Sequence, residues 1–160
     1  MNSFRIGFGY DIHRLEAGRK CVIGGIEIPN DKGPSGHSDA DVLIHAVCDA
    51  LLGAAGLEDI GFHFPDTDPE FKDADSSKLL EKVCELIREK TFEIGNIDVT
   101  VVLEKPKLQP HIFSMKKRLS KVMNISEDLI SIKATTNEGM GFIGREEAVA
   151  AYAVALIFRS

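Results

Sequence analysis

Two short patterns set ionisable side chains at spacings that suit a metal ion. In FRIGFGYDIH, strand alternation puts Phe4, Ile6, Phe8, Tyr10 and Ile12 on one face, and Asp11 and His13 together on the other. That second face otherwise carries Arg5 and the bare backbone of Gly7 and Gly9, so a carboxylate and an imidazole are expected to project beside open space. In SDADVLIHAVCDALLGAAG, Asp41 and His45 are four apart and would stack on one face of a helix, with His37 just ahead of it and Asp49 one turn beyond His45. Zinc takes imidazole nitrogen and carboxylate oxygen in a tetrahedral shell, and catalytic sites keep one of the four positions open. Asp11, His13 and one histidine from the helix would make such a set.

A third pattern, ATTNEGMGFIGR from Ala134 to Arg145, suits phosphate. It offers the hydroxyls of Thr135 and Thr136 at a strand end, a Gly-rich turn of free backbone N–H groups, and Arg145 as a fork donor. Glu138 makes sense among such donors chiefly if a divalent cation such as magnesium lies between it and the phosphate. Each pattern also has a plainer reading. A D-x-H pair arises by chance, a helix histidine is commonly a hydrogen-bonded core residue, and a tight turn with a surface arginine needs no ligand. Asp49 would orient the ring of His45 or sit on a solvated helix face, and His63 and His111 read as surface or loop histidines.

The elements that must position these groups follow from periodicity and punctuation. CVIGGIEIP, Cys21 to Pro29, predicts a hairpin turning at Gly24-Gly25, followed by a Gly/Pro loop, NDKGPSG. The first helix is expected to take Ser38 as its N-cap and to stop near Gly53 or Gly56. From Glu58 to Asp75 the chain turns acidic and Pro-punctuated, which predicts a long surface loop of a length that is usually functional. SSKLLEKVCELIREK predicts a second helix with Leu79, Val83, Leu86 and Ile87 in one core-facing stripe. Next come a strand with Ile97, Val99, Val101 and Leu103 on one face, the segment KPKLQP, an amphipathic helix from about His111 to Met123, and a strand from Leu129 to Thr136. The closing run EEAVAAYAVALIF is apolar all round and fits either a buried helix or a strand buried on both faces.

With 160 residues and 44% hydrophobic content, the chain can bury one core and is too short for two ordinary ones, so a single domain over residues 1–160 is expected. A net charge of −6 disfavours nucleic acid or an anionic membrane as partner, though it leaves room for a local cationic pocket for a phosphorylated small molecule. Cys21, Cys48 and Cys84 are scattered and never form C-x-x-C, which fits reduced thiols acting as small hydrophobes. No segment approaches the roughly 20 apolar residues of a membrane span, and the N-terminus lacks a secretory pattern.

Taken in order, GYDIH, GHSDADVLIHAVCDALLGAAG, DIGFHFPDTDP and IKATTNEGMGFIGR resemble the 2-C-methyl-D-erythritol 2,4-cyclodiphosphate synthase family of the non-mevalonate isoprenoid pathway, from about Phe4 to Arg159. The resemblance implies an α+β fold: a mixed β-sheet with helices packed on one side and an N-terminal β-hairpin, assembling as a homotrimer with active sites between subunits. It favours a strand for EEAVAAYAVALIF, facing a neighbouring subunit. It makes Asp11, His13 and His45 zinc ligands, with Asp11 and His13 also touching substrate, and Glu138 the ligand of a magnesium or manganese ion shared with the substrate diphosphate. His37 and Ser38 become phosphate contacts, and His37 and Thr136 the residues that steady the transition state. Asp59, Ile60 and Gly61 resemble the segment that binds ribose and erythritol, and Phe64, Pro65, Asp66, Thr67 and Asp68 a flexible closing loop. Leu103, Pro106, Lys107, Leu108 and Gln109 align with a cytosine pocket, and Ala134, Thr135, Thr136, Asn137 and Glu138 are implied as further substrate contacts. Phe142 and Arg145 match positions near a central channel able to hold an isoprenoid diphosphate. The sequence departs from the family's usual residues at Phe8, Tyr10, KPKLQP and Asn137, while the metal and phosphate positions are intact.

The implied activity converts 4-diphosphocytidyl-2-C-methyl-D-erythritol 2-phosphate into the cyclic diphosphate with release of CMP, a phosphorus–oxygen lyase reaction in a bacterial cytoplasm, or in a plastid once a transit peptide is removed. Two other readings use the same parts. Zinc with an activated water, and Asp41 as base, would give a phosphohydrolase of nucleoside diphosphate derivatives; a metal-binding trimeric module would have no turnover at all.

Overall fold

The alternating N-terminal run becomes one long strand, β1 (Ser3–Ala17), in a computed structural model that describes residues 3–159. Met1, Asn2 and Ser160, part of the single-domain expectation, lie outside the described residues. The Gly24-Gly25 pair turns the expected hairpin between β2 (Cys21–Ile23) and β3 (Ile26–Ile28), with φ of 65° and 73° that glycine adopts without strain. The Gly/Pro loop after it differs from expectation. Part of it forms β4 (Lys32–Ser35), which pairs with the end of β1 at the sheet edge, where Pro34 needs no ladder N–H.

The sheet is completed by β5 (Glu93–Val102), β6 (Ile130–Thr135) and β7 (Ala148–Arg159), in the order β4-β1-β7-β5-β6. It is mixed: β7 runs antiparallel to both β1 and β5, while β6 is parallel to β5. The final apolar run is therefore the central strand. Its odd residues Val149, Ala151, Ala153, Ala155 and Ile157 are buried, while Tyr152 and Val154 are exposed on the opposite face.

Helix α1 (Val42–Ala55) lies on the face of the sheet where the glycines are. A Cβ added to Gly9 would come 1.9 Å from the Ala46 carbonyl oxygen, and one added to Gly7 would come 1.8 Å from that of Ala50. The expected open space beside these glycines is thus filled by helix backbone, because only a strand without side chains lets a helix approach so closely. The apolar side chains Phe4, Ile6, Phe8 and Tyr10 point the other way and are exposed.

Short helix α2 (Ile60–His63) and a 3-10 turn at Pro69–Phe71 interrupt the long acidic loop, and α3 (Ser76–Glu89) follows it. Three of the acidic residues are caps: Asp59, Asp68 and Asp75 accept from the N–H groups of Phe62, Glu70 and Ser77. On α3 the predicted stripe holds for Leu79, Val83 and Ile87, with Leu86 half-buried at its margin. Helix α4 (Ile112–Met123) buries Met115, Leu119 and Met123, and a single turn, α5 (Gly141–Gly144), occupies the Gly-rich segment before β7. All three cysteines are buried and free, and burial pushes the thiols up, Cys21 to about 11 and Cys84 to about 12, so they pack rather than react.

Candidate functional site

Where β1 runs past the end of the glycine contact, Asp11 and His13 meet His45 of α1. Asp11 Oδ2 lies 2.8 Å from His13 Nε2 and 3.1 Å from His45 Nδ1, and the two nitrogens are 3.1 Å apart. The far side of each ring identifies the lone pairs. His13 Nδ1 is 3.2 Å from the Ser35 carbonyl oxygen, which can only accept, so Nδ1 carries the proton and Nε2 is bare. His45 Nε2 faces Ser76 Oγ at 2.9 Å, and the Ser76 hydroxyl itself donates to Asp39 Oδ1, so Nε2 donates and Nδ1 is bare.

Two bare nitrogens and a carboxylate oxygen therefore converge within hydrogen-bond distance of one another, an arrangement that calls for a proton or a cation between them. Burial alone would raise the Asp11 carboxyl, but the two imidazoles hold it well below the usual carboxylate range. Burial likewise works against charge on His45, yet Asp11 beside it raises its pKa. The donor types fit a borderline cation such as zinc.

Asp41 takes a different role from the one its spacing implied. It, and not Ser38, caps α1: its carboxylate accepts from Ile44 N and from Gly24 N and Gly25 N of the hairpin turn, at 3.1, 3.0 and 2.7 Å. It is fully buried against the hairpin turn, and burial, then the Asp39 charge, push it up to about 6. A carboxylate engaged by three backbone donors offers no base to a water molecule. Asp49 does not orient His45 either; its Oδ1 accepts from Ile60 N at 2.8 Å and so fixes the start of α2.

A cavity beside the trio is lined by His37, Ser38, His45, Ile60, Gly61, Phe64 and Asp66. Pro65, Thr67, Asp68 and Asp59 belong to the same loop, and His37 Nε2 reaches the Asp68 carbonyl oxygen at 3.2 Å. A second cavity is lined by Leu103, Glu104, Pro106, Lys107, Leu108, Gln109, Ala134, Thr135 and Thr136. Beside it Glu138 N donates to Thr136 Oγ1 at 3.2 Å, and Asn137 N donates to Glu104 Oε1 at 2.7 Å. Ile12 pairs with Ala150, Ala150 with Val102, and Val102 with Thr135. Three strand spacings put Thr135 roughly 14 Å from Ile12, so one chain does not bring the two groups together.

Phe142 lines a third cavity with Ile12, Arg14, Leu15, Lys32, Glu146, Glu147 and Ala148, and Arg145 is exposed and paired with Glu147 at 2.9 Å. Sequence reasoning missed Asp39 and Ser76; the only signal for either was the first carboxylate of S-D-A-D, ahead of the capping one.

The sequence model of the YgbB family matches residues 4–158. The chain belongs to the YgbB family. Relatives named 2-C-methyl-D-erythritol 2,4-cyclodiphosphate synthase, from Cytophaga hutchinsonii and Bacillus mycoides, are each 57% identical over 97% and 96% of this chain and 98% of their own. Among YgbB-like folds of known structure, the bifunctional IspDF from Campylobacter jejuni superposes over the whole of this chain and 43% of its own with a TM-score of 0.96 at 39% identity. The Plasmodium falciparum IspF complex with CDP covers 100% of this chain and 99% of its own, with a TM-score of 0.88 at 35% identity. The expected mixed sheet with helices is thus shared with these neighbours.

Proposed function

We propose that this chain is a cyclodiphosphate synthase: it closes 4-diphosphocytidyl-2-C-methyl-D-erythritol 2-phosphate onto its own β-phosphorus, expelling CMP, and so acts as a phosphorus–oxygen lyase. Family membership and 57% identity to synthases support the reaction, and the observation that carries it here is the convergence of Asp11, His13 and His45 on one point. We further propose that this trio holds zinc and that Glu138 holds magnesium or manganese together with the substrate diphosphate. Metal ions there would supply Lewis-acid relief of the repulsion between attacking and attacked phosphates.

The chain's own residues do the rest. Leu103, Pro106 and Leu108 wall an apolar slot for cytosine, with Lys107 and Gln109 at its mouth. The Thr136 hydroxyl donates to the diphosphate. His37 and Ser38 hold the 2-phosphate, and His37 and Thr136 face the charge that shifts during transfer. The 59–61 segment, fixed by Asp49, holds ribose and erythritol hydroxyls, and residues 64–68 close over them and exclude the water that would divert the reaction to hydrolysis. Tethering both phosphates of one flexible molecule supplies the orientation.

The separation of the two residue groups supports assembly as a homotrimer in which each site draws on two copies, one presenting the trio and another the cytosine slot. The exposed apolar face of β1 and β7 would then be the buried one. In such a trimer the cavity at Phe142, Arg14 and Lys32 would admit an isoprenoid diphosphate near the axis. One domain and a bacterial cytoplasmic location complete the reading; among the described residues no helix is long and apolar enough to cross a membrane.

The test is phosphorus NMR on zinc-loaded protein with magnesium and substrate, beside Asp11→Ala. A coupled pair of cyclic diphosphate resonances appearing with CMP, and absent from the variant, is the expected result. CMP with only the linear bisphosphate overturns cyclisation in favour of hydrolysis.

A further inference from the structure

Both histidines of the trio are oriented from behind, but by different means. His13 leans on a backbone carbonyl, that of Ser35, which no side-chain substitution removes. His45 leans on a side chain, Ser76 Oγ, the first residue of α3 and fully inaccessible to solvent. We propose that Ser76 and Asp39 are positioning residues that hold His45 as a metal ligand, an inference that rests on reading the trio as a zinc site.

A hydroxyl can accept or donate, so Ser76 alone would leave the His45 tautomer undecided. Asp39 removes the choice. Its carboxylate can only accept, and it is fixed by three donors: the Ser76 hydroxyl and Asp41 N at 3.1 Å on Oδ1, and Ser76 N at 3.0 Å on Oδ2. With its hydrogen committed to Asp39, Ser76 Oγ must accept from His45 Nε2. The imidazole then keeps its proton on Nε2 and turns the bare Nδ1 toward Asp11 and His13. Ser38 Oγ also lies 3.2 Å from Nε2 and accepts from Ala40 N, but Ser76 Oγ is the shorter contact at 2.9 Å and has no hydrogen left to give. Ligating histidines are commonly backed by a carboxylate that fixes the tautomer and raises basicity; here a serine carries that influence from Asp39 to the ring.

The test compares metal-stripped wild type, Ser76→Ala, Ser76→Thr, Asp39→Asn and Asp11→Ala. Zinc affinity is read by competition with a chromophoric chelator, and the His45 tautomer by nitrogen-15 shifts of its ring. Ser76→Ala is expected to weaken zinc about 10- to 100-fold and to mix the two tautomers, Asp39→Asn to act in the same direction, and Ser76→Thr to restore most of the affinity. Unchanged zinc affinity in Ser76→Ala and Asp39→Asn, with a lower melting temperature at most, overturns the inference while loss of binding in Asp11→Ala leaves the metal site standing. Wild type that binds no zinc overturns both. If Ser76→Ala does not fold, Asp39→Asn with wild-type affinity and an unmixed tautomer still refutes the proposal.

Discussion

The two faces of β1 come from one alternating run and have opposite fates. Gly7 and Gly9 are sealed against α1, with Asp11 and His13 half-buried further along the same face, whereas Phe4 at 62%, Ile6 at 73% and Phe8 at 63% exposure face outward. Apolarity therefore does not mark the inner face of this strand. The glycine face is interior because it is bare, and it admits helix backbone where side chains would hold a helix away. The aromatic face, continued by Tyr152 with ring centroids 5.1 Å from Tyr10 and 6.4 Å from Phe8, is a patch that calls for cover by another molecule.

The largest expected effect breaks the sealed face. Gly9→Val drives a branched side chain into the Ala46 carbonyl and Ala50 N, both backbone, and should cost about 3 kcal/mol or more in urea unfolding while displacing His45 and abolishing zinc binding. On the outer face the same kind of insult should leave the fold alone. Phe8→Asp is expected to keep the circular dichroism of the wild type while lowering the molecular mass in light scattering to that of one chain, a loss of about 2 kcal/mol or more per contact. An unchanged mass would show that the aromatic face is not the interface.

Asp41→Asn tests the join between hairpin and helix. The amide would set an NH2 group against one of three backbone donors, with an expected loss of about 2 kcal/mol in stability and little change in zinc affinity. The smallest effect is a slope with pH. The folded, metal-free pKa of His45 is raised, so its stabilising pairing with Asp11 is fully present below about 6.5 and is lost as pH rises through the folded value. Zinc needs the bare ring and displaces that proton, so the gain in melting temperature on adding zinc should grow from pH 6 to 8. A gain that is flat with pH would mean that no proton leaves.

Much of the fold was legible in the sequence. The Gly24-Gly25 hairpin, the stripes of α3 and the alternation of β5 follow from period and turn chemistry alone, because those signals act within a few residues. The glycine side of β1 looks empty in the sequence because a bare face and a tightly covered face leave the same pattern there. The capping acids of residues 59–75 were read as solvated loop for a similar reason: composition does not reveal which N–H groups a carboxylate meets. Of the site, Asp11 and His13 announce themselves by spacing, and His45 by a helix face. Ser76 could not be found that way, since it lies 31 residues beyond His45 and acts through the fold.

The long loop between α1 and α3 is pinned at both ends to one helix and its leading strand of chain. Ile60 N is held by Asp49 at its start; at its end Asp73 N donates to His37 O at 2.8 Å, Asp39 N to Ala74 O at 3.1 Å, and Ser76 is held by Asp39. Mechanically this is a strap with two fixed buckles. Its travel is limited to the arc from residue 61 to 72, where His37 Nε2 is tied to the Asp68 carbonyl oxygen. If His37 contacts phosphate as proposed, turning its Nε2 toward the anion must release Asp68, so slack in the strap and grip on the anion would be set by the same nitrogen.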